Sequence, residues 1–223
     1  ADVFEDNLVS NKSILKFGES NSSLTKQALI LQNIEYGDHP QQVYDIYLPE
    51  KRSTEVTKVI VLIHGGSWRN GDKSDMLELI ERVRNSNPYH AIVNMNYILA
   101  NDNTYAFPNQ FYDIGLLLDE LTSKSLEYQI VPEFALIGRS AGAHLALMYD
   151  YNHDQQNRVK MVCSIAGPTN FTDPFYQNNP NFELLFNMLV DPDFYFQKES
   201  KVLKAISPAF QVNQLDNPTI IFH

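Results

Sequence analysis

Residues 134–149 read Phe-Ala-Leu-Ile-Gly-Arg-Ser-Ala-Gly-Ala-His-Leu-Ala-Leu-Met-Tyr, and this stretch decides the fold. The first four residues form a short apolar run, which is typical of a buried strand, and residues 141–149 follow as an apolar helical pattern. Only a few small residues, centred on Gly138-Arg-Ser-Ala-Gly142, separate the strand from the helix. The sequence therefore predicts a sharp strand-to-helix turn with Ser140 at its tip.

Such a turn makes Ser140 a candidate catalytic nucleophile. Because its backbone is strained there, we expect a positive φ at Ser140. Side chains at positions 138 and 142 would collide with each other and with the neighbouring strand, so Gly138 and Gly142 fit the turn. The Ala141 amide falls at a helix N-terminus, where the dipole favours developing negative charge. The alternative interpretation is a turn in which the serine merely caps the helix.

Apolar runs elsewhere in the chain predict the rest of a buried sheet. They lie at residues 58–63, 91–95, 159–165 and 219–222, and helical patterns lie between them at residues 75–84 and 109–121. Alternation of buried strands with helices is typical of a mostly parallel sheet that is covered on both faces. The predicted fold class is therefore α/β.

Three further segments surround this predicted core. Two period-two stretches at residues 29–36 and 43–48 flank the turn Gly37-Asp-His-Pro40 and predict an antiparallel hairpin at the sheet edge. Residues 1–28 have weak local preferences and predict a surface arm. Residues 168–213 interrupt the alternation and predict an insertion, which is either a lid or pocket wall or an extra packing layer. We expect one domain over residues 1–223.

A second motif follows the predicted strand at residues 58–63. It reads His64-Gly65-Gly66-Ser67-Trp68, and its glycines allow backbone N–H groups to approach a ligand closely. Upstream of a nucleophile turn, this motif predicts an oxyanion-hole loop. We assign the donors to the Gly66 and Ser67 amides, with Ala141 across the site, and Gly65 is the alternative donor. We expect His64 to hold the loop by side-chain hydrogen bonding.

In both of these motifs the chain resembles the esterase and lipase branch of the α/β-hydrolase superfamily that carries His-Gly-Gly-x-Trp. The resemblance covers most of residues 30–223, including Val43-Tyr-Asp-Ile-Tyr-Leu-Pro49 and Asn96-Tyr97. The segments Phe107-Pro108 with Asp113, Ser207-Pro208 and Pro218 to His223 also resemble the family, whereas Ile98 stands where relatives often have arginine. The resemblance implies the α/β-hydrolase fold and a serine carboxylesterase that takes a small-molecule ester without a cofactor.

In this family the catalytic acid and then the histidine follow the serine along the chain. The resemblance places the acid shortly after the strand at residues 219–222, and the histidine later still. The acidic residues between Ser140 and His223 fall in the insertion or before the final strand, as at Asp154, Asp173, Asp191 and Asp216. We therefore expect the acid and the base to lie beyond residue 223.

Three explanations of the missing acid and base remain open: a C-terminal segment follows, a partner supplies the groups, or the protein binds without turnover. Alone, the 223 residues should be nearly inactive, because removing a triad histidine costs on the order of a millionfold in turnover. Amide hydrolysis, by a peptidase or a formamidase-like enzyme, is the alternative reaction. A non-catalytic binding protein on a hydrolase scaffold is the alternative class of function.

Composition excludes several other functions. The net charge of −10, from 27 acidic and 17 basic residues, argues against a nucleic-acid partner. No stretch has the roughly 20 apolar residues that a membrane span needs. The sequence predicts a soluble chain and leaves open export or residence in the cytoplasm. It contains no metal-ligand spacing, and it does not indicate an oligomeric state.

Five other residues receive structural interpretations. Cys163, the single cysteine, has apolar neighbours that favour a buried strand position over a reactive thiol. His144 lies one helical turn after Ser140 and is predicted to point into the body of the protein. His39, His90 and His153 fall in predicted turns or element ends, where we expect solvated side chains.

Overall fold

The β-branched run Val59–Ile63 forms a central strand of the sheet, and all five of its residues are buried. A strand that is buried on both faces has no side toward solvent, so a continuous apolar run suits this position. The computed structural model describes residues 27–195, 199–214 and 216–223. The predicted surface arm at residues 1–28 therefore lies almost wholly outside the described residues.

Seven strands form one sheet in the order β1-β2-β4-β3-β5-β6-β7. The strands are β1 Leu29–Glu35, β2 Val43–Leu48, β3 Val59–Ile63, β4 Ala91–Met95, β5 Phe134–Arg139, β6 Val159–Ile165 and β7 Thr219–Phe222. Strands β3 to β7 pair in parallel, whereas β1 pairs antiparallel with β2, and β2 antiparallel with β4. The predicted parallel core and the predicted antiparallel edge hairpin are both confirmed.

Alternate residues of the central strand enter two different apolar clusters. Val59, Val61 and Ile63 belong to the larger cluster, and Ile60 and Leu62 belong to the smaller one. Because successive side chains of a strand point to opposite faces, the sheet is covered on both sides. The predicted α/β class, with a sheet that is buried on both faces, is thereby confirmed.

Helices cover the two faces of the sheet. They are α1 Leu77–Ser86, α2 Asn109–Ser123, α3 Ser125–Tyr128, α4 Ala141–Asn152, α5 Pro174–Gln177, α6 Phe182–Leu189 and α7 Glu199–Ala205, with 3₁₀ turns at Lys73–Met76 and Pro208–Phe210. Helix α4 packs on β3, β5 and β6, and α1 packs on β4. The helix predicted at residues 75–84 is confirmed: its first two residues belong to the 3₁₀ turn that Asp72 caps, and the rest belong to α1.

The insertion at residues 168–213 forms short helices that dock on the rest of the fold. The Phe107 N–H donates to the Leu189 carbonyl at 2.8 Å, and the Asp191 N–H donates to the Phe107 carbonyl at 3.2 Å. At its far end, the buried Ser207 hydroxyl donates to the Leu203 carbonyl at 2.6 Å and accepts from the Phe171 N–H at 2.9 Å. Backbone hydrogen bonds therefore join the insertion to the segment before α2.

Two further expectations can be compared with the described residues. Cys163 is a buried free cysteine, and burial raises the pKa of its thiol, so its predicted place inside a strand is confirmed. None of the helices in the described ranges has the length and apolar character to cross a membrane.

Candidate active site

Ser140 occupies the turn between β5 and α4, with φ 53° and ψ −118°. The predicted positive φ is confirmed, and the side chain is exposed. The Ser140 N–H donates to the Ile165 carbonyl at 2.8 Å, which ties the turn to the end of β6. A positive φ at a non-glycine residue stores strain that the surrounding structure must support, and such strain clusters at active sites.

Backbone segments approach each other closely at the two glycines of this turn. A β-carbon at Gly138 would clash with the Gly142 carbonyl and the Ala143 nitrogen, and one at Gly142 would clash with the carbonyls of Ile63 and His64. Only glycine leaves room for these backbones, as the sequence pattern predicts. The close approach of Gly142 to the end of β3 also brings α4 against the loop that follows β3.

The Ala141 amide is the first N–H of α4 and has no intrahelical partner. Within the described ranges it donates to no protein acceptor, whereas the amides of Ala143 and His144 donate to the Ser140 carbonyl. Ala141 is therefore a free donor at the positive end of a helix dipole, next to the Ser140 side chain.

The loop at residues 64–68 begins beside this turn, because Ile63 and Gly138 are register partners of β3 and β5. Gly66, Ser67 and Trp68 have φ values of 119°, 51° and 61° in succession. In the described part of the chain, the Gly66 and Ser67 amides donate to no protein acceptor. The predicted oxyanion donors in the loop and at the start of α4 are therefore free of protein acceptors, and their role stays a prediction.

His64 is held within the loop. Its Nδ1–H donates to the Gly65 carbonyl at 2.7 Å, and the Tyr97 hydroxyl donates to the His64 carbonyl at 2.9 Å. The rings of His64 and Tyr97 are stacked at 4.4 Å. Burial lowers the pKa of His64, so a neutral ring with its proton on Nδ1 is favoured. This geometry supports the structural role that the sequence suggests for His64.

Trp68 turns away from solvent at the end of the loop. Its indole Nε1–H donates to Nδ1 of His144 at 3.3 Å, and its carbonyl accepts from the Ala100 N–H at 3.0 Å and from Gln110 Nε2 at 2.8 Å. Only 5% of the Trp68 surface is exposed. The buried side chain therefore anchors the loop to helix α4.

His144 is fully buried, and its Nε2–H donates to the Ile206 carbonyl at 2.7 Å. Burial lowers the pKa of His144 to about 4. Both ring nitrogens are occupied by Trp68 and Ile206, so this histidine has no nitrogen for Ser140. The prediction that it points into the body of the protein is confirmed, but its two partners could not be predicted from the sequence.

The acidic residues that follow Ser140 have structural partners. Asp154 accepts from the Val159 N–H, Asp173 caps α5, Asp191 accepts from the Asp193 N–H, and Asp216 accepts from Asn213. No cluster of metal-ligating side chains occurs among the residues that the structure describes. None of the four carboxylates is bonded to a histidine that could act on Ser140.

One expectation about the other histidines is wrong. His153 is half-buried and stacks on Phe111 at 4.9 Å, because the end of α4 packs against α2. Burial lowers the pKa of His153. His90 is also half-buried, and of these three predicted solvated histidines only His39 is exposed.

A mostly parallel sheet with helices on both faces, and a strained serine between its fifth strand and the following helix, are the features of an α/β-hydrolase. A family model described as BD-FAE matches residues 44–223, and the chain belongs to this family. The match covers β2 to β7 together with both candidate motifs.

Two curated proteins are similar in sequence. An arylacetamide deacetylase from Bos taurus is 26% identical over 191 residues, which cover 80% of this chain and 47% of the relative. A kynurenine formamidase from Danio rerio is 26% identical over 173 residues, which cover 73% of this chain and 54% of the relative. The chain spans about half the length of these relatives.

Solved structures share the fold at low sequence identity. An inhibited esterase B from Lactobacillus rhamnosis superposes with a TM-score of 0.68 and 18% identity over 88% of this chain and 66% of its own. A bacterial heroin esterase superposes with a TM-score of 0.67 and 19% identity over 87% of this chain and 64% of its own.

Proposed function

We propose that this chain is the nucleophile-bearing part of a serine hydrolase that cleaves carboxylic esters of small molecules. The observation that carries the proposal is the positive φ of the exposed Ser140 at a strand-to-helix turn. The adjoining Ala141 amide, and the Gly66 and Ser67 amides of the neighbouring loop after β3, are free of protein acceptors. The seven strands share one sheet, which supports a single domain.

In the proposed reaction, Ser140 Oγ attacks the ester carbonyl carbon and its proton passes to a histidine. The carbonyl oxygen becomes an oxyanion, which the amides of Gly66, Ser67 and Ala141 stabilise by hydrogen bonds. The intermediate collapses, the histidine returns the proton to the departing alcohol, and the acyl group stays on Ser140. Water activated by the same histidine then releases the acid.

The histidine and its carboxylate partner are proposed to lie outside residues 1–223. His144 is unsuited to this role, because both of its ring nitrogens are bonded, to Trp68 and to Ile206. The described bond of the His64 ring ties Nδ1 to the Gly65 carbonyl, and no described bond joins the ring to Ser140 or to a carboxylate. We propose that the groups are supplied by a further C-terminal segment of the full-length protein. Supply by a partner and binding without turnover are the alternatives.

Amide hydrolysis is the second candidate reaction, and the two curated relatives favour it. One is named for an arylacetamide and the other is a formamidase, so both names refer to an amide bond. The proposed constellation serves either bond, since the same nucleophile and oxyanion donors apply and only the leaving group differs. The ester proposal is supported by the names of the structural neighbours.

The test uses the full-length natural protein and its Ser140→Ala variant, with Ser123→Ala as the matched control at an exposed helix end. Short p-nitrophenyl esters, an arylformamide and an acetanilide are assayed together. We expect ester hydrolysis by the wild type, wild-type rates for Ser123→Ala, and a loss of at least about a thousandfold for Ser140→Ala. Activity that survives in Ser140→Ala would disprove the assignment of the nucleophile.

The same assay separates the alternatives. Faster turnover of the arylformamide or the acetanilide than of any ester would replace the ester proposal by the amide one. If no substrate is turned over and a fluorophosphonate does not label Ser140, a binding protein on the hydrolase scaffold is favoured.

A further inference from the structure

Three segments that are far apart in the sequence meet at the His144 side chain. The loop after β3 contributes the Trp68 indole, helix α4 contributes the imidazole itself, and the end of the insertion contributes the Ile206 carbonyl. The imidazole also lies among the rings of Trp68, Phe107 and Phe171, whose centroids are within 5.1 to 5.3 Å of it. It is therefore a buried junction between the two halves of the proposed oxyanion hole.

The two partners fix the form of the ring. An indole N–H can only donate and a carbonyl can only accept, so His144 must carry its proton on Nε2 and leave Nδ1 bare. A doubly protonated ring could not accept from Trp68. An apolar side chain could make neither bond, and a side chain with donors alone could not accept from Trp68. Position 144 therefore requires a side chain with one acceptor and one donor.

The loop needs such a support because Gly66, Ser67 and Trp68 all have positive φ. Strained backbone persists only where surrounding contacts determine it. The Trp68 carbonyl is bonded to Ala100 and Gln110, which connect the loop to the segments that follow β4. The Trp68 indole, in contrast, is bonded to the helix that carries the Ala141 amide.

We propose that His144 is a positioning residue for the reaction at Ser140: by its bond to Trp68 it sets the distance between the loop amides and the Ala141 amide. This inference rests on the proposed function. The bond to Ile206 in turn fixes the ring through the insertion, so residues distant from the nucleophile help to set the geometry of the oxyanion hole. Misplacement of catalytic groups by about 1 Å can cost a hundredfold in rate.

The experiment separates the two bonds of His144 in the full-length protein. In His144→Asn the amide oxygen replaces Nδ1 and keeps an acceptor for Trp68, whereas in His144→Gln the amide nitrogen replaces Nε2 and keeps a donor for Ile206. Trp68→Phe removes the donor from the other side, and His153→Gln, at the end of the same helix, is the matched control. Rates are expressed per site that a fluorophosphonate titrates, so that misfolded protein does not count.

We expect His144→Gln and Trp68→Phe each to lower kcat per titrated site by about ten- to a hundredfold, with KM changed less than threefold. The kcat of His144→Asn should exceed that of His144→Gln by about tenfold, and the kcat of His153→Gln should match that of the wild type. In the double variant Trp68→Phe with His144→Gln, kcat should fall no further than in the single variants, because both remove the same bond.

A purely structural role would give a different result. It would lower the melting temperature and the fraction of titratable sites while kcat per site stayed within twofold of the wild type, and that outcome would overturn the proposal. If His144→Gln does not fold, the kcat per titrated site of Trp68→Phe alone decides between the two roles. A wild-type rate in Trp68→Phe beside an inactive Ser140→Ala would refute this inference and leave the proposed function standing, whereas an active Ser140→Ala would refute the proposed function itself.

Discussion

Gly65 faces the side chain of Ser140 so closely that a β-carbon added to Gly65 would lie 3.1 Å from Ser140 Cβ and 2.8 Å from the Arg139 carbonyl oxygen. The loop after β3 and the turn after β5 are therefore in backbone contact. A displacement of either one must move the other, and substitutions at Gly65 test this relationship directly.

Gly65→Ala should lower kcat/KM for an ester by about ten- to a hundredfold, because the new methyl group pushes the loop away from Ser140. We also expect a loss of about 1–3 kcal/mol in the free energy of unfolding, measured by urea denaturation. Gly115→Ala is the control: its β-carbon would meet only the Tyr149 ring at 3.5 Å, inside helix α2. This control should keep full activity and gain about 0.5–1 kcal/mol, and equal activities in the two variants would contradict the prediction.

His144 should make the protein less stable in acid. Its pKa is about 4 in the fold against an ordinary value of 6.5, so below pH 6.5 the unfolded chain takes up a proton that the folded chain refuses. The contribution of His144 to the free energy of unfolding is fully present above pH 6.5, and it falls by about 3 kcal/mol as the pH drops to 4.

The measurement is urea unfolding of the wild type and His144→Gln at several values between pH 7 and pH 4. The lowered pKa values of His64 and His153 act in the same direction, and the raised pKa values of Asp113 and Asp150 act in the opposite one. These groups are common to both proteins, so the difference in stability between them isolates His144. A difference that stays constant with pH would disprove its role.

The buried pair of Lys73 and Asp45 should contribute more to stability than the exposed pair of Lys58 and Glu133. The Lys73 and Asp45 side chains are 12% and 4% exposed and 2.7 Å apart, against 52% and 37% for the other pair at the same distance. Lys73→Met leaves a buried carboxylate without its partner and should cost about 3–5 kcal/mol. Lys58→Met should cost at most about 1 kcal/mol, and thermal or urea unfolding of the two variants compares them.

The hydroxyl of Ser207 should stabilise the insertion. Ser207→Ala leaves the buried Phe171 N–H without its acceptor, and we expect a loss of about 1–3 kcal/mol. Ser123→Ala removes a hydroxyl that donates to the Glu120 carbonyl on the surface, so its effect should stay within about 0.5 kcal/mol. Hydrogen exchange of the Phe171 amide provides the local measurement, and unchanged protection in Ser207→Ala would contradict the role given to the hydroxyl.

The sequence was sufficient to predict the sheet because its strands are short β-branched or apolar runs that have no competing helical period. Val59–Ile63 and Ala91–Met95 are buried throughout, and such runs fit only a strand that is covered on both faces. The turn at Ser140 could be predicted for a similar reason: the spacing of Gly138 and Gly142 is dictated by backbone contacts that no other residue permits.

The network around Trp68 could not be predicted, since its members are separated by loops whose course no local pattern specifies. His144 looks like an ordinary buried residue of an apolar helix, and Ile206 takes part through its carbonyl, which every residue carries. The position of His153 was predicted wrongly because the end of a helix is usually solvated, and only its packing on Phe111 in α2 buries the ring.

The bonds of His144 also impose an order on the emergence of the chain during synthesis. Trp68 and His144 are 76 residues apart, and His144 and Ile206 are 62 residues apart. A nascent chain can satisfy both ring nitrogens of His144 only after Ile206 has left the ribosome. Contacts between residues so far apart in the sequence form late in folding, because the entropy of closing the intervening loop must be lost first. The loop that follows the third strand therefore receives its last support from residues that are translated more than a hundred codons after it.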